Sequence, residues 1–292
     1  MKKEIIKGNN FFLVKEQEGR KNLPCVIKSS GYTIDERAIN ENWLLTQVRT
    51  LPHHDRSNLP DPVIFEASAQ SLKPYAGRTV YSLYLTPNCK GLEYAQEELS
   101  NFFNYCASDI SNAGFSFVGH SKGGLLLSGV KINHMSKFVF INPTFGCIMG
   151  DEAAVDRRID SYKESHSLSL ITKAAISLYR DMVHIIGSRR PVDLDMAPGS
   201  KFLSRVNLSH LCEHHVMLIA STCPEGRCGL QDRLYRFTGN LLDLSKKGDG
   251  MVLLEDQLKV APYIEKLYIT SATHPTILSK PDVIFHIKDF LR

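Results

Sequence analysis

One hydroxyl in this chain stands in a setting that could make it a nucleophile. Phe115 to Val118 is a short apolar run of buried-strand character. It enters Gly119-His120-Ser121-Lys122-Gly123, and the apolar run that follows fits a buried helix. A serine on a tight strand-to-helix turn stands clear of the sheet, with its backbone strained and room beside it for a base. Bulk two residues to either side would clash, so glycine is required at 119 and 123, and Gly124 lets the new helix pack closely on its neighbours. Such a serine needs a base to take its proton, and the base needs an anion to hold its tautomer and stabilise the imidazolium. The chain order on serine turns of this kind is nucleophile, acid, histidine, the last two on loops after late strands. Gly248-Asp249-Gly250-Met251-Val252 reads as a turn exposing an acid between glycines, and Thr273-His274-Pro275 directly follows the last strand. The chemistry this pattern offers is covalent acyl transfer: Ser121 attacks a carbonyl, His274 takes and returns the proton, and Asp249 orients His274. Asp256 and Asp243 are the alternative acids. Ordinary readings stand beside these: Asp249 as a turn aspartate, His274 as the cap of the last helix, His120 as a residue that packs at the turn rather than acting as the base.

The elements that must position these residues alternate between strand and helix. Asn10 to Lys15 and Pro24 to Ser29 are strand-like, and the polar Glu16-Gln17-Glu18-Gly19-Arg20 between them suits a hairpin. Glu36 to Leu51 reads as an amphipathic helix, Pro62 to Ala67 and Thr79 to Thr86 as strands. A helix from near Gly91 to Ser108 buries Leu92, Ala95, Leu99, Phe102, Phe103 and Cys106. Lys137 to Asn142, Val216 to Ala220 and Lys266 to Thr270 are the later strands, and Pro281 to Leu291 is a closing amphipathic helix. From Thr144 to about His215 no strand pattern occurs. Leu168 to Ile186 has dense helical apolar spacing there, and Pro198-Gly199-Ser200 starts a further short helix, so this block reads as a helical insertion. Strands alternating with helices predict an α/β fold: a mostly parallel sheet with helices on both faces, in a single domain over residues 1–292.

Composition narrows the class of protein. Of 292 residues, 43% are hydrophobic and 23% charged, the balance of a globular chain with one large core. The net charge of +4 is spread among acids and basic clusters such as Arg189-Arg190 are short, so no nucleic-acid partner is indicated. The start of the chain has no apolar run of signal-peptide length, and no stretch reaches the length of a membrane span. Seven cysteines without framework spacing suit reduced thiols and a cytoplasmic setting, export without a cleavable signal being the alternative. Cys223-Pro224-Glu225-Gly226-Arg227-Cys228, near His214 and His215, raises the question of zinc. The spacing is not a recognised ligand set, and a loop with free thiols is the better reading, so no metal and no cofactor is expected.

With these residues in view, the chain resembles the α/β-hydrolase superfamily, in particular its lipase and carboxylesterase branch. Gly119 to Gly124 is similar to the lipase Gly-His-Ser-x-Gly-Gly turn, and Asp249-Gly250-Met251-Val252 resembles the Asp-Gly-x-Val turn that carries the lipase acid. His274, with Lys280 to Ile284 and Asp289-Phe290-Leu291 after it, resembles the family's C-terminal histidine and last helix. Pro198 to Leu203 looks like a segment of the lipase cap. The resemblance spans roughly Pro24 to the end. It implies hydrolysis of a small-molecule acyl ester or lipid, with an oxyanion hole from the backbone N–H groups of Lys122 and Tyr32. The family's usual His-Gly after the first core strand is absent. Ser30-Gly31-Tyr32 is the best match, and Pro62 to Ala67 followed by Ser68-Ala69-Gln70 is its rival. The resemblance also makes 144–215 a cap over the nucleophile. Its apolar Leu178 and Met182 would line a pocket for medium or long acyl chains, and such a cap could touch a lipid surface. A thioesterase or acyltransferase would use the same residues. A binding protein on the same scaffold would be expected to lack one of the three, and here each has a candidate.

Overall fold

A computed structural model of the chain describes residues 4–33, 75, 77–107, 110–147, 152–167, 173, 176–177, 180, 191–224, 248–274 and 276–292. The strands are β1 (Ile5–Lys7), β2 (Phe11–Gln17), β3 (Cys25–Thr33), β4 (Val80–Leu85), β5 (Phe115–His120), β6 (Lys137–Ile141), β7 (His215–Thr222) and β8 (Lys266–Ser271). They form one sheet in the order β1-β2-β4-β3-β5-β6-β7-β8. β1 pairs antiparallel with β2, and β2 with β4; every other neighbouring pair is parallel. The described helices include α1 (Leu92–Asn101), α2 (Lys122–Ser128), α3 (Glu152–Ser165) and α4 (Pro191–Leu194) between strands, and α5 (Pro281–Leu291) after the last strand.

Burial explains why the central strands read as unbroken apolar runs. Successive residues of a strand point to opposite faces, and both faces here are covered. Phe117, Phe138 and Phe140 belong to a layer completed by Leu92, Ala95 and Leu99 of α1 and Leu125, Leu126 and Leu127 of α2. Their neighbours Val118, Val139 and Ile141 belong to the opposite layer, with Val283, Ile287 and Phe290 of α5. Phe117 is stacked on Phe138 at 4.8 Å and meets Phe103 edge-on at 5.0 Å. Each fully buried side chain of this size contributes about 1.5–3 kcal/mol. The C-terminus of α5 is held from the sheet side: Lys137 Nζ donates to the Phe290 carbonyl at 2.9 Å, and Arg78 donates to the carbonyls of Pro24 (3.1 Å) and Leu291.

Three local expectations are corrected. β2 and β3 do not form a hairpin, because β4 lies between them, with Leu83 opposite both Leu13 and Ser29. All six residues of β4 are buried, so this strand needs a partner on each edge, and a polar turn signal carries no such information. The helix expected over 91–108 ends its α-helical part at Asn101 and continues as a π-helical turn, Phe102–Cys106. The wider turn rotates Cys106 out to solvent and brings Ala107 in. The short helix expected from Pro198 is a series of turns instead: Gly199 has φ +76°, and Ser200 Oγ donates to the Asp195 carbonyl (2.7 Å) and accepts the Leu203 N–H (3.1 Å). The helix over Glu36 to Leu51 and the strand Pro62 to Ala67 lie outside the described residues. Between β6 and β7 the described residues contain no strand. No described helix is long and apolar enough to cross a membrane.

Candidate active site

β5 ends at His120 and α2 starts at Lys122, leaving Ser121 as the whole turn. Ser121 has φ 56° and ψ −130°, a conformation that costs a non-glycine residue on the order of 1–3 kcal/mol. Two backbone bonds hold it: its N–H donates to the Ile141 carbonyl of β6 at 3.0 Å, and its carbonyl accepts the Gly124 N–H at 2.9 Å. The glycines are explained by close approach. A Cβ on Gly119 would lie 2.7 Å from the Gly123 carbonyl oxygen and from the Gly124 Cα; one on Gly124 would lie 2.9 Å from Pro143 Cβ.

His274 lies just past β8, 4% exposed, and its two ring nitrogens face different partners. Nε2 is 2.8 Å from Ser121 Oγ and Nδ1 is 2.6 Å from Asp249 Oδ2. With the carboxylate accepting from Nδ1–H, Nε2 is left as the acceptor that a serine hydroxyl needs. The backbone repeats the link, since the His274 N–H donates to the Asp249 carbonyl at 3.0 Å.

Asp249 is fully buried, not exposed on its turn as the sequence suggested. The turn folds around the carboxylate: Oδ1 accepts the N–H groups of Met251 (2.9 Å) and Val252 (2.8 Å), so with His274 every side of the anion is served. Gly248 permits this, because a Cβ there would fall 1.9 Å from the Val252 carbonyl oxygen. Gln257, also fully buried, ties the turn to β7: its amide nitrogen donates to the Ser221 and Val252 carbonyls (both 3.1 Å), and its oxygen accepts the Ser221 N–H (2.8 Å).

Two residues beside the site carry more than their sequence context announced. His120 packs its ring 4.8 Å from that of His274, and its Nε2–H donates to the His274 carbonyl at 3.1 Å. Burial, with the neighbouring His274, pushes its pKa down to about 3, so it is a neutral brace for the His274 backbone. Asn142, at the end of β6, has φ 43° and donates from its amide to Ser221 Oγ at 2.8 Å. An asparagine is tolerated in that conformation, and only this tolerance could have marked it in the sequence.

This fold has solved counterparts. The mature lipase BlEst2 of Bacillus licheniformis is similar at a TM-score of 0.54, with 14% identity over 95% of this chain and 95% of that one. Carboxylesterase CesB of Bacillus subtilis follows at 0.51 and 12%, over 99% and 90%. An alpha/beta hydrolase fold protein from Chitinophaga pinensis stands at 0.50 and 11%, over 99% and 97%. The chain has the α/β-hydrolase fold. No family model and no curated protein matches it in sequence, so the likeness is one of fold.

In an α/β-hydrolase the serine stands on the turn at the head of its strand, and the residue after it and the loop after an earlier strand face the developing oxyanion. Here Lys122 opens α2, where N–H groups have no acceptor within the helix. Tyr32 is the penultimate residue of β3, which lies next to β5 with Ser29 opposite Gly119, so it sits at the same end of the sheet as Ser121. The rival strand, Pro62 to Ala67, lies outside the described residues, as do Asp243, Leu178 and Met182. Asp256, the other alternative acid, bonds Lys259 Nζ at 2.9 Å rather than His274; that ammonium also donates to the Phe145 carbonyl (2.9 Å). His215 pairs with Glu265 and His214 packs on Phe138, while Cys228 is outside the described residues. Among the described residues no group of three or more histidine, cysteine or acidic side chains is arranged for a metal.

Proposed function

We propose that this protein is a serine hydrolase of carboxylic esters, with Ser121 as nucleophile, His274 as general base and acid, and Asp249 as the anion that orients His274. The observation that carries this reading is the chain Ser121 Oγ–His274 Nε2 (2.8 Å) and His274 Nδ1–Asp249 Oδ2 (2.6 Å), set on a strained turn. Ser121 Oγ adds to the acyl carbonyl as its proton passes to Nε2. The tetrahedral oxyanion is held by the N–H groups of Lys122 and Tyr32. Collapse expels the alcohol, which takes the proton from Nε2, and leaves the acyl-enzyme. Water then repeats the sequence and releases the acid. The esterase and lipase names among the structural counterparts agree with an ester substrate. Residues 144–215 form the cap in this reading, and Leu178 and Met182 line an acyl pocket, which favours medium or long chains over acetate.

The test is covalent. Wild-type protein should label with a fluorophosphonate and hydrolyse p-nitrophenyl esters; Ser121→Ala should lose labelling and on the order of 10⁶-fold in kcat while keeping its fold. Undiminished turnover by Ser121→Ala would refute this function.

A further inference from the structure

Lys122 has a second part in the structure, played by its side chain. Its ammonium is 2.5 Å from Asp193 Oδ1, a contact between residues 71 positions apart in sequence. Both side chains are nearly buried, with relative exposures of 12% and 6%. Asp193 lies on α4, a four-residue helical turn within the stretch between β6 and β7. Two residues on, Asp195 Oδ2 accepts the N–H of Leu92 at the start of α1, at 2.7 Å. This segment is thus fastened at two points by neighbouring aspartates, one to α1 and one to the residue directly after Ser121.

An unpaired ammonium at this depth would be costly, so Lys122 keeps its side chain inward only while Asp193 faces it. The peptide group that bears the Lys122 N–H is then fixed from two directions. Ser121 sets it through its strained backbone, and the buried ion pair sets it through the Lys122 side chain. We propose that Asp193 is a positioning residue: by anchoring Lys122, it sets the direction of the backbone N–H that faces the oxyanion. The inference rests on the hydrolase reading above. It assigns Asp193 no contact with substrate, only an effect on how well the transition state is met. Stabilisation of an oxyanion depends steeply on donor geometry, and a small displacement of a reacting or stabilising group costs on the order of 100-fold.

The experiment compares full-length wild type, Asp193→Asn, Asp193→Glu and Asp195→Asn, using p-nitrophenyl butyrate for kcat and KM and a boronic acid that forms a tetrahedral adduct on the serine. Asp193→Asn should lower kcat by about 10- to 100-fold with KM within about twofold, and weaken the boronic acid in proportion. Asp193→Glu, which keeps the charge, should recover most of that loss. Asp195→Asn, which loosens the same segment without touching Lys122, should retain kcat. Should Asp193→Asn fail to fold, the double variant Lys122→Met with Asp193→Leu, which leaves no unpaired charge, decides the matter: it should show the same fall in kcat at constant KM. Wild-type kcat in Asp193→Asn, or in the double variant where that one serves, overturns the proposal while leaving the hydrolase intact; so does an equal loss from Asp195→Asn. A wild-type chain that neither labels nor turns over ester overturns the hydrolase reading and the positioning role with it.

Discussion

His120 occupies the position just before Ser121, yet its donor goes to the backbone of His274, 154 positions away. One side chain therefore ties the strand that ends beside Ser121 to the loop that carries His274. Phenylalanine fills much the same volume but cannot donate, so His120→Phe should leave the His274 carbonyl unpaired and its loop less firmly held. The loss of one such hydrogen bond, about 0.5–1.5 kcal/mol, corresponds to a fall in kcat of up to roughly tenfold. KM for p-nitrophenyl butyrate should not move, and steady-state kinetics of the variant check both. The meeting of Ser121, Asp249 and His274 was legible in the sequence because each is marked locally: a serine between glycines after an apolar run, an aspartate between glycines, a histidine after the last strand. The surroundings were not. Nothing near Lys122 announces Asp193, 71 positions away, and nothing near His120 announces the carbonyl of His274. Such partners are set by tertiary contact, which a local pattern does not encode.

At the scale of elements, the turn works because β5 and α2 approach more closely than side chains allow. A Cβ at 119 would meet backbone atoms of residues 123 and 124, which cannot swing aside as the tip of a flexible side chain could. Gly119→Ala should therefore push α2 away from β5, lowering stability by about 1–3 kcal/mol and carrying the Lys122 N–H out of line. Thermal unfolding and kcat should fall together, in contrast with His120→Phe, where the fold should hold. The alternation of strand and helix predicted the parallel part of the sheet well, since strands covered on both faces announce themselves as continuous apolar runs. Strand order on the antiparallel side was not legible. The short polar link after β2 looks like a hairpin in isolation, and only the full burial of β4 shows why another strand must enter between β2 and β3.

The whole molecule shows a division of labour between the two ends of its sheet. Ser121, Asp249 and His274 gather beyond the carboxyl ends of the strands. At the opposite end, the 3₁₀ turn Ser209–Glu213 leads into β7, with His210 and His214 half-buried beside it. Burial holds both imidazoles below their usual pKa, as it does that of His120. A histidine with a folded pKa below its unfolded value of about 6.5 takes up its proton more readily in the unfolded chain. Its contribution to stability is complete above about pH 6.5 and is lost as the pH falls through the folded pKa. The melting temperature should therefore drop between pH 7 and pH 4, and His214→Phe should flatten that drop without changing kcat at neutral pH; thermal melts across that range decide it. Ser121 shows a different kind of compromise. Its positive-φ backbone is one that glycine adopts freely and a residue with a Cβ adopts at a cost on the order of 1–3 kcal/mol. For folding alone, glycine would be the better residue at 121. In the proposed hydrolase the Ser121 hydroxyl is thus a concession that stability makes to reactivity, so a search for hardier variants of this chain would tend to discard it.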